Sequence, residues 1–509
     1  MNPLMTAVLA LSLLSTAAYA AEPPDLSGIY WAAEYNAKIR LVGGGELPLT
    51  AAGNAAYEKN VAGLKDGTTI DAARKYCVPD GLPRVLATPY PFEIIQGPPG
   101  QITIVYELNH QVRTIRMDKP MPGEKELISF PFYNGHSVGH FEGDTLIIES
   151  AGFNDKTFVD ATGAPHTDEM RTVERIRRTS PTQIESVITI HDPQYYTRDW
   201  QARFVYSQRN DVRIDDYACG DEHRDISSVR GVRPAASPRQ NVRSNAALPS
   251  ATTTKDRIPT FASNTFAWLA AGADWIDAAA GLRGPIQNDP DHPFHGNTAG
   301  PGQVTLRIGN YKDPVLKPWA AAQMRASNEE VLNGKRGLPF SAQSRCYPGG
   351  VPGQLLYPAE PFYFIQTPKQ VWMIWQRDHM VRRIYLTDKH SNNVKLSWFG
   401  ESIGHYENGD TLVVDTIGLS TQNSYIDNYR TPHTAREHVV ERFKLSADGK
   451  TIEAAVTVED PDTFNEPLHM VQRWRQVPNP LLETVCAEDN FDYFNQNLFP
   501  LPQADKPDF

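Results

Sequence analysis

Residues 135–150 read GHSVGHFEGDTLIIES, and residues 400–416 read GESIGHYENGDTLVVDT. In each, short β-branched or aromatic runs flank a Gly-Asp turn. Side chains of a strand alternate between its two faces, and glycine accepts the positive φ that a tight turn requires. Each stretch therefore reads as a β-hairpin, and the second is a copy of the first.

The copy extends well beyond the hairpin. Residues 74–219 and 343–486 carry the same motifs in the same order. RKYCVPDGLPR is matched by QSRCYPGGVPG, PFEIIQ by PFYFIQ, and NHQVRTIRMD by DHMVRRIYLTD. APHTDEMRTVERI is matched by TPHTAREHVVERF, and HDP by EDP. The segments QITIVYEL, HQVRTIRM, DTLIIES, TVERIRR and QIESVITI have strand composition and are separated by Gly, Pro, Asn and Asp. The expected fold is mainly β, as two tandem homologous antiparallel β-barrel or sandwich domains, each with a short helical lead-in. LPLTAAGNAAYEKNVAGLK supplies the first lead-in, with Thr50 as its N-cap, and DPVLKPWAAAQMRASNEEVLNGK the second. FAWLAAGADWIDAAAGL reads as a further helix with an aromatic face, after a Pro/Ser/Ala/Arg-rich linker at 228–262. The expected boundaries are a signal peptide at 1–20, a first repeat at 21–227, linker and helix at 228–285, and a second repeat at 286–509.

Composition narrows the function classes. A net charge of −11 with no basic block argues against nucleic acid as a partner. LMTAVLALSLLSTA is apolar but too short to span a bilayer, and AYA before Ala21 fits a small-x-small cleavage site. No later segment has the length and apolarity of a membrane span. The expectation is a periplasmic or secreted protein of unassigned oligomeric state. The four cysteines suit an oxidising compartment. Cys77 and Cys219 stand 142 residues apart, Cys346 and Cys486 140 apart. Three pairings are possible, and equivalent placement favours one bond within each repeat. Closing such a loop stabilises by roughly 3–5 kcal/mol in the chain-entropy model.

Three histidines recur in register: His110 with His379, His140 with His405, and His166 with His433. So do Arg113 with Arg382, Asp160 with Asp427, and the dipeptides Glu174-Arg175 and Glu441-Arg442. His136 is replaced by Glu401, and Glu107 by Gln376. A histidine oriented by a carboxylate can move protons near neutral pH. This makes His140, His166, Glu174, His405, His433 and Glu441 the catalytic candidates, with His110, Arg113, His379 and Arg382 as ligand-binding candidates. Three imidazoles and a carboxylate would also suit a transition metal, although the spacing matches no local metal signature and no metal ligand is assigned. Against both stands a structural role, with Pro-His-Thr shaping a turn and Glu-Arg forming cross-strand pairs. GHSVG matches G-x-S-x-G, but a hairpin follows where a nucleophile elbow needs a helix. No phosphate loop, dinucleotide fingerprint, haem or EF-hand motif points to a cofactor, which stays unassigned.

The run SRCYPGGVPG, YPAEPFYFIQTPKQVWMIWQRDHMVRRIYL, GESIGHYENGDTLVVDTIG, YRTPHTAREHVVERF and VTVEDP resembles a widespread group of exported bacterial proteins that occur as single or tandem copies. The first repeat is similar to the same group. The resemblance covers nearly all of the mature chain and carries over no catalytic residue. Asn408, inserted before the Gly-Asp turn, departs from the group's EGDTLVV form. By architecture alone the chain also resembles lipocalin-like tandem barrels, some of which bind lipids or terpenoids.

The leading expectation is an exported protein that binds a small, largely apolar molecule in a β-barrel pocket, with His/carboxylate acid–base chemistry if it is an enzyme. The alternatives are a metal-dependent enzyme with a three-His plus carboxylate site, and a non-catalytic envelope interaction protein.

Overall fold

The computed structural model describes residues 23–216, 258–278, 280–293, 307–333, 342, 347–357, 361–378, 380–421, 424–478 and 482–486. The first repeat forms β1 (Gly28–Ala32), β2 (Phe92–Gln96), β3 (Gln101–Tyr106), β4 (Val112–Met117), β5 (His136–Glu142), β6 (Thr145–Ala151), β7 (Arg171–Ser180), β8 (Gln183–His191) and β9 (Trp200–Gln208). These pair in sequence order, and β1 closes on β9, giving a nine-stranded barrel. The second forms β10 (Phe266–Ala270), β11 (Ile276–Asp277), β12 (Phe362–Gln366), β13 (Gln370–Trp375), β14 (Val381–Tyr385), β15 (Glu401–Glu407), β16 (Thr411–Ile417), β17 (His438–Leu445), β18 (Thr451–Glu459) and β19 (Leu468–Pro478). Here β10 pairs with both β12 and β19 and closes a second nine-stranded barrel, while β11 adds to β19 outside that ring.

One contact in each barrel departs from the antiparallel expectation. β4 runs parallel to β5, and β14 parallel to β15. A long excursion separates the members of each pair, which permits a parallel return that a tight hairpin cannot make.

Among the described residues the helices are α1 (Ala51–Asp66), the short α2 (Ala72–Lys75) and α3 (Glu124–Ser129), and α4 (Pro318–Asn333). Thr50 caps α1 as expected, its Oγ1 accepting from the Gly53 N–H at 3.0 Å. FAWLAAGADWIDAAAGL is not helical as read. Its first five residues are β10, and Trp268 pairs with both Phe362 and Gln476. Barrel closure outweighs the helix propensity of the alanines, because β12 and β19 would otherwise each present an open edge. The second barrel therefore begins at Phe266, inside the span 228–285 read as linker and helix. The signal sequence and residues 217–257 lie outside the described residues.

The two hairpins that announced the fold form in matching register. His140 pairs with Ile147, and His405 with Val413. Glu142 faces Thr145 across two residues, whereas Glu407 faces Thr411 across three, so Asn408 lengthens only the turn. Asn408 takes φ +54° and Gly409 φ +70°, both left-handed. Gly139 and Gly404 are required by packing. A Cβ on Gly139 would lie 2.8 Å from Ile115 Cγ2, and one on Gly404 2.7 Å from the Val413 carbonyl.

The barrels meet through equivalent strands. Ile95, Val105 and Val112 of β2–β4 form one buried cluster with Tyr363, Ile365, Trp372, Ile374 and Val381 of β12–β14. Within this seam the Glu93 carboxylate receives Arg383 Nε at 3.3 Å and Trp372 Nε1 at 3.4 Å. Each barrel's trailing segment crosses to the other. Asp216 accepts the Phe399 N–H at 3.1 Å, and Glu483 accepts the Tyr133 N–H at 2.7 Å. The two domains are thus joined by a packed, reciprocal interface.

Candidate functional site

Alternation fixes which side chains enter each barrel. On β7, Thr172, Glu174 and Ile176 are buried while Arg171, Val173 and Arg175 are exposed. Glu174 and Arg175 therefore sit on opposite faces of the wall. Inside, Arg113 donates to Glu174 at 2.6 Å, to Ser137 at 3.0 Å and to Ser150 at 3.0 Å. Ser186 donates to the other Glu174 oxygen at 2.7 Å. The second barrel repeats this knot. Arg382 donates to both Glu441 oxygens, to Ser402 at 3.1 Å and to Thr416 at 2.9 Å. Both pairs are about 1% exposed, which demands this degree of satisfaction, since a buried charge without partners is very costly. Ser137 is thus a ligand of a buried guanidinium, and GHSVG is no nucleophile motif.

The candidate histidines do not gather on these carboxylates. His140 points outward, half-exposed, 3.4 Å from Glu142, which also receives Arg175 at 2.8 Å. His405 repeats this with Glu407 and Arg442. The barrel wall separates His140 from Glu174 and His405 from Glu441, so neither couple is an acid–base pair. His166 and His433 are buried in the Pro-His-Thr turns before β7 and β17. The next threonine anchors each turn: Thr167 binds Asp192 through its N–H at 2.7 Å and its hydroxyl at 3.0 Å, and Thr434 binds Asp460 at 2.6 and 2.9 Å. The recurring HDP and EDP motifs supply these aspartates. The side chain of His110 and all of His379 lie outside the described residues. Among the described residues, no group of three or more His, Cys, Asp or Glu side chains is arranged to hold a metal ion.

The two buried histidines differ in charge. His166 Nδ1–H donates to the Thr167 carbonyl at 3.1 Å, which leaves Nε2 as the unprotonated acceptor. Burial holds its pKa below the usual histidine value. His433 has the same turn, but Glu437 replaces Met170 and lies 2.7 Å from Nδ1. Burial pulls the His433 pKa down, yet the Glu437 charge outweighs it and raises it.

The barrel interiors differ more than the motifs suggest. In the first, Thr172 Oγ1 and Trp200 Nε1 are buried without a hydrogen-bond partner. The Tyr106 hydroxyl lies against the Arg113 guanidinium, whose other N–H groups are directed to Glu174 and the serines. Strand register places Trp375, Val439 and Leu468 at the equivalent positions of the second barrel. That interior is also bulkier: Phe364, Phe443, Trp474 and Trp268 stand where the first has Ile94, Ile176, Tyr206 and Tyr30. Among its described inward-facing strand side chains, no polar atom is left unpartnered. These residues carry no motif. Only comparison of the two halves residue by residue, with the inward face known, brings them out.

Sequence reading also missed a half-buried cluster on the outer wall of the second barrel. His390 Nδ1 meets Glu401 at 3.2 Å and its Nε2 meets Asp415 at 3.0 Å. His438 Nε2 meets the same Asp415 oxygen at 3.0 Å, and Arg213, beyond the end of β9, pairs with Glu401 at 2.5 Å.

Cys77 and Cys486 each take part in a disulfide, while Cys219 and Cys346 lie outside the described residues. No described helix is long and apolar enough to cross a membrane. No protein-family model matches the chain, and a search of curated proteins finds no match.

Proposed function

We propose that this is an exported protein whose first barrel binds a small, largely apolar molecule, the second barrel serving as its structural partner. The observation that carries the reading is the pair of unpartnered polar atoms at Thr172 and Trp200 inside the first barrel. Leaving a buried donor unpaired costs about 1–3 kcal/mol, and the duplicated barrel avoids that cost at these two positions with Val439 and Leu468. An interior that keeps such groups amid Ile, Leu and Tyr suits a mostly hydrocarbon ligand with a few polar atoms. Binding is favoured over turnover, because His140 and His405 lie outside the barrels. The envelope-interaction reading finds support only in the apolar interior of the second barrel. Within the proposal, each repeat is closed by its own disulfide, Cys77 with Cys219 and Cys346 with Cys486. In support, the four cysteines stand at equivalent positions of the two repeats.

The test is displacement of an environment-sensitive apolar fluorophore by a panel of lipids and terpenoid-like molecules. Saturable one-to-one binding is expected, lost on filling the first interior with Ile94→Phe and Ile176→Phe and retained when Val456→Phe crowds the second. Equal binding by both variants, or none by the wild type, would overturn the reading.

A further inference from the structure

Resting on the binding reading above, we infer that the ligand of the first barrel is a hydroxyl-bearing molecule whose O–H is accepted by His166 Nε2. Register brings the relevant groups to one end of the barrel. Thr172 pairs with Ile190, and Ile190 with Trp200, so the three form one row across β7, β8 and β9. His166 lies in the turn just before β7, its Nε2 buried without a hydrogen-bond partner. Tyr196 ties it to that row: its hydroxyl donates to the Pro165 carbonyl at 2.8 Å, and its ring lies 5.5 Å from that of Trp200.

The chemistry of these atoms is complementary. Trp200 Nε1 can only donate, and the Thr172 hydroxyl can donate. His166 Nε2 can only accept, since its Nδ1–H is committed to Thr167. His166 is 5% exposed, so that lone pair is shut away from bulk water. A ketone or ether would satisfy the donors and leave the imidazole unpaired. A carboxylate would face the same lone pair with negative charge. A hydroxyl gives its proton to His166 and accepts from Thr172 or Trp200, leaving neither side orphaned. His433 Nε2 is likewise buried without a partner, but Glu437 stands 2.7 Å from its Nδ1 where the first barrel has Met170, and the strand side chains beside it in the second barrel are Val439 and Leu468.

The experiment compares matched pairs on the full-length mature protein: long-chain or polycyclic alcohols against their methyl ethers, each displacing the same fluorophore. The alcohols are expected to bind at least ~10-fold more tightly, as a site built around a substrate O–H discriminates against analogues lacking it. His166→Leu should erase the difference while His433→Leu preserves it. Should His166→Leu fail to fold, the wild-type alcohol-to-ether ratio decides alone. Alcohols and ethers that bind equally well would overturn the inference and leave the barrel reading standing. If no member of the panel binds and a crystal structure shows only ordered water on His166, both fall.

Discussion

At the residue scale, the buried Arg–Glu knots and the unpartnered polar groups make opposite demands on stability. Glu174→Gln leaves Arg113 buried without its counter-charge and should cost about 3–5 kcal/mol in urea unfolding. The double change Arg113→Met, Glu174→Leu should recover most of that, because two well-packed apolar residues replace a satisfied pair at little net cost. A double variant as unstable as the single would contradict this. Thr172→Val removes a hydroxyl that has no partner, so it should stabilise the ligand-free protein by roughly 1 kcal/mol while weakening ligand binding. A loss of stability on this substitution would mean that the hydroxyl is satisfied in the free protein.

At the scale of elements, charge on the outer wall should make stability depend on pH. Burial lowers the His390 pKa, but hydrogen bonds to Asp415 and Glu401 outweigh it and raise it to about 9. A histidine raised above its unfolded value of about 6.5 stabilises fully below that value, and loses the contribution as pH rises through about 9. Glu401 moves the other way. Burial raises it, but His390, Ser391 and Arg213 prevail and bring it to about 2, so its contribution is present above the unfolded carboxylate value and lost as pH falls toward 2. The melting temperature should therefore fall between pH 7 and 9.5, and His390→Asn should flatten that slope. A wild-type curve flat through this window would contradict the assignment.

The same scale shows what the sequence made legible. The hairpins, the strand segments, the Thr50 cap and the duplication could all be read, because they depend on local period and turn chemistry. The error at Phe266–Ala270 arose because five residues with two alanines carry no local strand signal; their pairing is decided by β12 and β19 far along the chain. The site was less legible. Arg113 and Glu174 stood out as recurring, yet nothing local says that β4 and β7 point both inward, or that His140 points out. Thr172 and Trp200 are invisible as motifs, since their significance lies in a partner they lack.

At the scale of the whole molecule, duplication has let the two barrels diverge. The second fills its interior with Trp268, Trp375, Trp474 and Phe443 and sets Glu437 against His433. The first keeps smaller side chains and the unpartnered polar atoms of Thr172 and Trp200. The seam through Glu93 and Arg383 fastens the two barrels together. The most direct test is native mass spectrometry of the purified protein, with and without added long-chain alcohols. Wild type is compared with the double variant Thr172→Val, Trp200→Phe. The account predicts a one-to-one organic adduct on the wild type that the double variant loses while staying folded. No adduct on the wild type, or an equal adduct on both proteins, would contradict it.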